Sequence, residues 1–446
     1  MTQQIHGARY LQGPVWGHIV RMTASGGLGL LALFAVDLVD LFFISLIGEQ
    51  ELAAAVGFSG SVMFFTQSLS IGLSIAVGAT VSKAIGSDAM TKAAELVASG
   101  IVLVFGSSVL ITALVWLFRQ QCLSWLGAEG ATLDFAEMYL GIILPAFPFL
   151  AVGMSMGGVM RAQGDASGAL WLTLSGALVN AVLDPILIFA IGLGLPGAAI
   201  ASVVSRFTMF FFGIYKVLRV YQLRSKPTIR TVRRDWQELS SIAIPSVLTN
   251  LATPIGIAFV TASMAQFGVA AVAGNAIISR LQMVAFVGLY ALSSVVGPIA
   301  GQNWGARQFS RVDDVLRDSI RFVLIYCVIV CSVLALTTHW IIAVFQASDD
   351  AATLIRWFTY GVSLMFIFNG ITFATNALFN NLGAPKASTV FNVAKATLFT
   401  IPFVWVGAQV GGAPGILVGQ GIGAVVIALA GWYWCRRLIQ RLRLAP

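Results

Sequence analysis

Asp37, Asp40 and Asp184 are the three acidic side chains that fall deep inside long apolar runs of this 446-residue chain. A charge at the centre of a bilayer costs about 2.5–3.5 kcal/mol on insertion scales, so each acid must be neutralised, paired or hydrated. Asp37 and Asp40 stand i,i+3, one helical turn apart on neighbouring faces. Asn180 and Asp184 stand i,i+4, which sets an amide and a carboxyl on one helix face. Pro185 follows directly. It lacks an N–H and disrupts the bond to the carbonyl of Ala181, which leaves an acceptor for a protonated acid or a cation. Two roles compete for these groups. One is a structural hydrogen bond between helices. The other, favoured here, is a proton or cation relay, the default reading of an intramembrane acid.

Arg206, Arg280 and Lys395 read as buried cations, acting as counter-ions or snorkelling to the interface rather than touching a substrate. Polar groups are spread through the second half at Asn250, Thr253, Asn275, Gln282, Asn369, Thr372 and Asn376; such residues serve as interhelical glue or as ligands. Met63, Met154, Met283 and Phe286, with Phe64, Phe65, Met156 and Phe368, offer an adaptable apolar wall or ordinary packing. Cys122, Cys327, Cys331 and Cys435 have neither disulfide nor metal spacing, and His6, His18 and His339 are scattered. No phosphate-binding GxxxxGK[ST] run occurs, and the close glycines of GLGLPG (192–197) lie between two spans rather than at a strand-to-helix turn. The sequence therefore predicts no enzyme, no cofactor and no metal site, and energy must come from an ion gradient.

The elements that position these residues follow from composition. The chain is 58% hydrophobic and 10% charged, against about 25% charged residues in soluble domains, which excludes a water-soluble globular fold. Apolar runs near the roughly 20 residues a spanning helix needs recur twelve times, at about 19–46, 52–82, 94–118, 136–160, 168–191, 197–218, 241–266, 272–300, 320–346, 354–379, 388–410 and 413–435. The longest polar interruption, 219–240, falls at the midpoint and predicts an N-lobe at 1–218, a basic cytoplasmic linker at 219–240 and a C-lobe at 241–446. With the N-terminus inside, the outer loops hold only Arg119 and Arg356 among basic residues, while Lys83, Lys92, the linker, Arg307 to Arg321, Lys386 and Arg436 to Arg443 lie inside. That is the positive-inside pattern. The net charge of +8 thus reads as orientation and anionic-lipid contact, with no nucleic-acid partner. The first span, which no cleavable leader precedes, is expected to act as an uncleaved insertion signal.

The halves repeat. LIGEQELAAAVG (46–57) echoes QFGVAAVAGNA (266–276), MRAQGDASGA (160–169) matches FNNLGAPKAS (379–388), and LDPILIFAIGLGLPGAAIA resembles TIPFVWVGAQVGGAPGILV, at a spacing of about 219 residues. Both copies begin on the same side, so the repeat is parallel, related by an axis along the membrane normal, which is a transporter architecture.

In VDLFFISLIGEQELAAAVGF (39–58), GGVMRAQGDASGA (157–169), NAVLDPILIFAIGLGLPGAAIAS (180–202), GQNWGARQ (301–308) and NNLGAPKAS (380–388), taken in order, the whole chain resembles the multidrug and toxic compound extrusion (MATE) family. The resemblance implies an all-α polytopic membrane protein with twelve transmembrane helices in two pseudo-twofold related six-helix bundles. It implies a monomer in a bacterial inner membrane, both termini cytoplasmic, that exports cationic apolar drugs in exchange for protons, or for sodium, by alternating access among the membrane lipids. Asp40 matches the family's first-helix acid, and Asn180 and Asp184 match the fifth-helix amide and acid of the DinF-like branch. Ser202 falls where a sixth-helix hydroxyl joins that network, and Tyr139 approaches it from the fourth helix. The second-lobe acids of the NorM-like branch are absent, with Thr253 near the helix-seven acid position and Asn369 and Asn376 in helix ten. Helix one lacks the proline at which some relatives bend; Gly26, Gly27 and Gly29 offer a hinge instead. The alternative is a lipid-linked precursor flippase of related architecture, which would need a strongly cationic cavity built on Arg206, Arg280 and Lys395.

Overall fold

A computed structural model describes residues 8–45 and 50–444, except for the side chains of residues 37, 38, 40–42, 44, 45, 50 and 53. Among the described residues the chain is helical, without strands. In lipid every backbone N–H and C=O must be satisfied within its own segment, which makes helices of apolar spans. In the first half these are α1 (Val15–Ser45), α2 (Gln50–Gly86), α3 (Met90–Leu117), α4 (Arg119–Trp125), α5 (Gly130–Ile143), α6 (Phe147–Ala162), α7 (Ala166–Pro185) and α8 (Leu195–Tyr215). The second half holds α9 (Ile229–Ala265), α10 (Val269–Ala285), α11 (Val287–Gly305), α12 (Phe309–Val344), α13 (Asp349–Tyr360), α14 (Phe366–Asn381), α15 (Pro385–Ala396) and α16 (Ile401–Leu444).

Among the described residues ten stretches are long and apolar enough to cross a membrane, and α10 with α11, bent by 47°, adds one. The stretch Pro385–Leu444 holds two passes, because Gly412 (φ 61°, ψ −145°) turns the chain within α16. Beyond that turn the arms press together so closely that a Cβ at Gly415, Gly419 or Gly423 would overlap the backbone of Gly407, Phe403 or Phe399. Small residues four apart are what lets helices approach in lipid, where no hydrophobic force drives them together. The molecule is thus an all-α polytopic membrane protein of twelve passes in two bundles.

Several spans are less regular than the hydropathy suggests. The fourth and tenth passes break at 3₁₀ turns, Leu144–Ala146 and Val362–Met365. Helix α9 begins at Ile229, inside the segment read as a linker, because its charges find partners on α3. Asp235, wholly buried, accepts from Lys92 Nζ at 2.6 Å and Ser99 Oγ at 2.8 Å, and Arg234 pairs with Glu95 at 2.6 Å.

The repeat is visible in the backbone. Helices α2 and α10, α3 and α12, α5 and α13, and α7 and α15 each start 219 residues apart. Left-handed residues recur at the same offset, with Asp88 and Arg307 at φ 57° and 56°, and Gly164 and Gly383 at φ 73° and 79°.

Two compact units divide the chain. One comprises residues 28–247 with Ala8 and Arg9; the other comprises 10–27 with 248–444. Helices α1 and α9 each contribute to both, changing unit at Gly27–Leu28 and Val247–Leu248. In the first unit α2 and α6 pack through glycine: a Cβ on Gly158 would lie 2.9 Å from the Ser74 carbonyl oxygen. The Ser74 hydroxyl donates to the Met154 carbonyl at 2.8 Å, beside a core that includes Val77, Val97 and Met156. In the second unit Tyr10 N donates to Gln302 Oε1 at 3.0 Å, and Arg311 Nη2 donates to the Tyr10 carbonyl at 2.7 Å.

Candidate functional site

The i,i+4 spacing on α7 does what the sequence predicts. Asn180 Nδ2 donates to Asp184 Oδ2 at 2.9 Å, with both residues buried and Asp184 wholly so. Pro185 ends the α-helical ladder, and the chain continues as a π turn, Ile186–Ala190, in which Ile191 N reaches back to the Ile186 carbonyl at 2.9 Å. A buried carboxyl therefore sits at a change in helix winding, where backbone bonds are redistributed. Asp37 and Asp40 lie in α1, and their side chains are outside the described residues. The register of α1 is fixed nearby. The Phe43 ring meets Phe189 of the π turn edge-on, with centroids 5.9 Å apart, which brings the segment just after Asp40 to the end of α7.

Tyr139 is buried on α5, and Ser202 is half-buried on α8. The hydroxyl that ties α8 to α7 is that of Ser205, one turn on, donating to the Gly176 carbonyl at 2.8 Å. Sequence reasoning missed Ser205 because several hydroxyls on one helix look alike until the neighbour is known. Arg206 is buried as expected. Its Nη1 donates to the Ile143 carbonyl at 2.8 Å, Nη2 approaches Met63 Sδ at 3.6 Å, and the guanidinium lies over the Phe147 ring at 5.2 Å. Met63 thus packs on a cation, and Met154 receives the Ser74 hydrogen bond at its backbone. Arg280 on α10 is exposed, which corrects its reading as a buried cation.

The second unit contains an open-sided cavity of about 190 Å³. Its polar lining includes Thr253, Gln282, Asn369, Asn392, Lys395, Thr400 and Gln420, and Tyr290, Phe366 and Phe373 supply aromatic walls. Of the residues singled out in the sequence, Thr253, Gln282, Asn369 and Lys395 reach it. Asn250, Met283, Phe286 and Asn376 are not in its lining. Phe286 is fully buried and stacks on Phe366 at 4.2 Å, Met283 is 48% exposed and Asn376 is buried, and Asn250 is half-buried. Lys395 lines this cavity: its Nζ donates to Asn369 Oδ1 and stands 5.8 Å from the centroid of the Phe373 ring. No acidic side chain lines the cavity among the described residues.

Twelve apolar passes in two bundles, each with polar groups held inside, define the class: a membrane transporter. The MatE family profile matches residues 27–186 and 245–406, one match in each half of the repeat. The chain belongs to the MatE family, whose members are transporters and not enzymes. It is 28% identical over 442 residues to a protein of Shewanella oneidensis named FAD transporter, covering 96% of each chain. It is 23% identical to the probable multidrug resistance protein YpnP of Bacillus subtilis, again covering 96% of each. Among solved structures it resembles the Vibrio cholerae MATE transporter VcmN in its bent form, with a TM-score of 0.90 and 26% identity, over 96% of this chain and 98% of that one.

Proposed function

We propose that this protein is a secondary active multidrug exporter that drives small cationic and apolar compounds out of a bacterial cell in exchange for protons. The observation that carries the reading is the buried Asn180–Asp184 pair at the α-to-π transition of α7. An acid held away from water beside an amide donor is a group whose protonation changes the charge of the bundle interior. In this reading Asp40, Asp37, Tyr139 and Ser202 share the coupling role with it, as in the DinF-like branch of the family. External protons load the site and reshape the first bundle, the compound leaves, and the proton is released inside. Residues 1–218 and 241–446 act as the two lobes of a monomer in the inner membrane, with 219–240 joining them on the cytoplasmic side.

The test uses purified protein in proteoliposomes, with ethidium as the compound and internal pH as the readout. Ethidium addition should release protons from the wild type, and Asp184→Asn and Asp40→Asn should each abolish that release. Full antiport by both variants overturns the assignment. Transport driven by a sodium gradient at symmetrical pH replaces protons with sodium as the coupling ion.

A second substrate reading, export of an aromatic dinucleotide, is favoured by the full-length likeness to the Shewanella oneidensis protein named FAD transporter. Uptake of FAD into inside-out vesicles, compared with ethidium, separates the two.

A further inference from the structure

We infer that the cavity of the second unit is a binding site for a small organic anion, with the acid group on Lys395. Lys395 sets a part-buried ammonium against this cavity, inside a membrane-spanning bundle. Taking a charge out of water is costly unless a counter-charge and hydrogen bonds replace the solvent. Lys395 has one such bond, to Asn369 Oδ1, and among the described residues no carboxylate pairs with it. An ammonium carries three donors, so the contact to Asn369 leaves two for another acceptor. The cavity has no acid in its lining to supply one.

The rest of the lining suits an anion's acid group on one side and a flat apolar body on the other. Gln282, Asn392 and Gln420 carry amide N–H donors, and Phe366 and Phe373 bound the space. Size sets the limit. The cavity volume of about 190 Å³ lies below the roughly 300–1,000 Å³ of sites that enclose drug-sized molecules. A compound smaller than drug-sized, such as one aromatic ring bearing one acid group, suits that volume. A cation of similar size meets the Lys395 charge with no compensating carboxylate, so the site selects against the very compounds that the acids of the first unit suit. The inference concerns binding alone and does not rest on the coupling ion or the direction of transport.

The site is tested on the full chain in neutral detergent micelles by fluorine NMR titration with four probes that share one body. These are 4-fluorobenzoate, 4-fluorophenyl phosphate, neutral 4-fluorobenzamide and cationic 4-fluorobenzylammonium. At least one of the two acids should bind the wild type more tightly than the amide, and the ammonium should bind least. Which acid binds tells a carboxylate ligand from a phosphate. Lys395→Gln should weaken the acid by about 10- to 100-fold, the range for a hydrogen bond to a charged group, while leaving the amide unchanged. An amide that binds the wild type as tightly as the acids overturns the inference. So does failure of both acids to bind, or a K395Q protein that binds them as the wild type does. Should K395Q fail to fold, the comparison of acid with amide on the wild type decides alone.

Discussion

Asp165 joins three parts of the first unit through one carboxylate. As the N-cap of α7 it accepts from Gly168 N at 2.8 Å, it accepts from Tyr221 Oη at 2.6 Å beyond α8, and Lys216 Nζ stands 3.4 Å away. Burial pushes this carboxyl up, but the Tyr221 and Gly168 hydrogen bonds and the Lys216 charge together hold it below its usual 3.8. A carboxyl lowered in the folded state stabilises the fold above its ordinary value and loses that contribution as pH falls through the lowered one. Wild type and Asp165→Asn should therefore differ in thermal midpoint at pH 6, and the gap should close as the pH drops below 3.8. Melting curves across that range check it. At this scale legibility depended on sequence distance. Asn180 and Asp184 were readable because one helix fixes their geometry. Arg206 and Lys395 were readable as costly, but not as placed: Ile143 lies 63 residues from Arg206, and Asn369 lies 26 from Lys395.

The break between α10 and α11 shows an element shaped from outside its own sequence. Tyr326 of α12 donates its hydroxyl to the Ala285 carbonyl at 2.8 Å and accepts from Gly288 N at 3.1 Å, so one side chain splices the two helices at a 47° bend. A group inserted into the helical ladder is a recognised cause of such kinks. Gly288 is required there, because a Cβ would meet the Tyr326 ring at 2.6 Å. The counterpart helix α2 runs unbroken from Gln50 to Gly86. Hydropathy predicts one straight span over 272–300, since nothing in Ala285 to Gly288 breaks a helix and the cause lies 38 residues later. Tyr326→Phe orphans a buried N–H and a carbonyl, at a cost of about 1–3 kcal/mol. The variant should melt earlier, and the Gly288 amide should lose protection in hydrogen exchange. Unchanged exchange would show that the tyrosine merely fills space. Pro145 and Gly412, by contrast, announce their breaks in the sequence.

For the whole molecule, the repeat holds the backbone constant while the chemistry diverges. The 219-residue offset preserves helix starts and left-handed turns, yet one unit buries an acid beside an amide on α7 and the other surrounds a lysine on α15 with amides and rings. Turn and span positions were legible because glycine, proline and apolar runs recur in both copies. The division of α1 and α9 between units was not, because each reads as one apolar run. The charge asymmetry of the loops predicts both ends of the chain inside the cell: green fluorescent protein fused after Pro446 should fluoresce, and alkaline phosphatase at the same point should stay inactive. The division of α1 also bears on how the protein is made. Tyr10 and Gln302 are 292 residues apart, so at roughly 5–20 residues per second the segment that leads into α1 waits about 15–60 seconds for its partners. During that interval the remaining helices of the first unit are already being synthesised, whereas a nascent chain released at residue 300 has no Gln302, Asn303 or Arg311 with which to hold Tyr10. The segment ahead of α1 is thus made long before the residues that hold it.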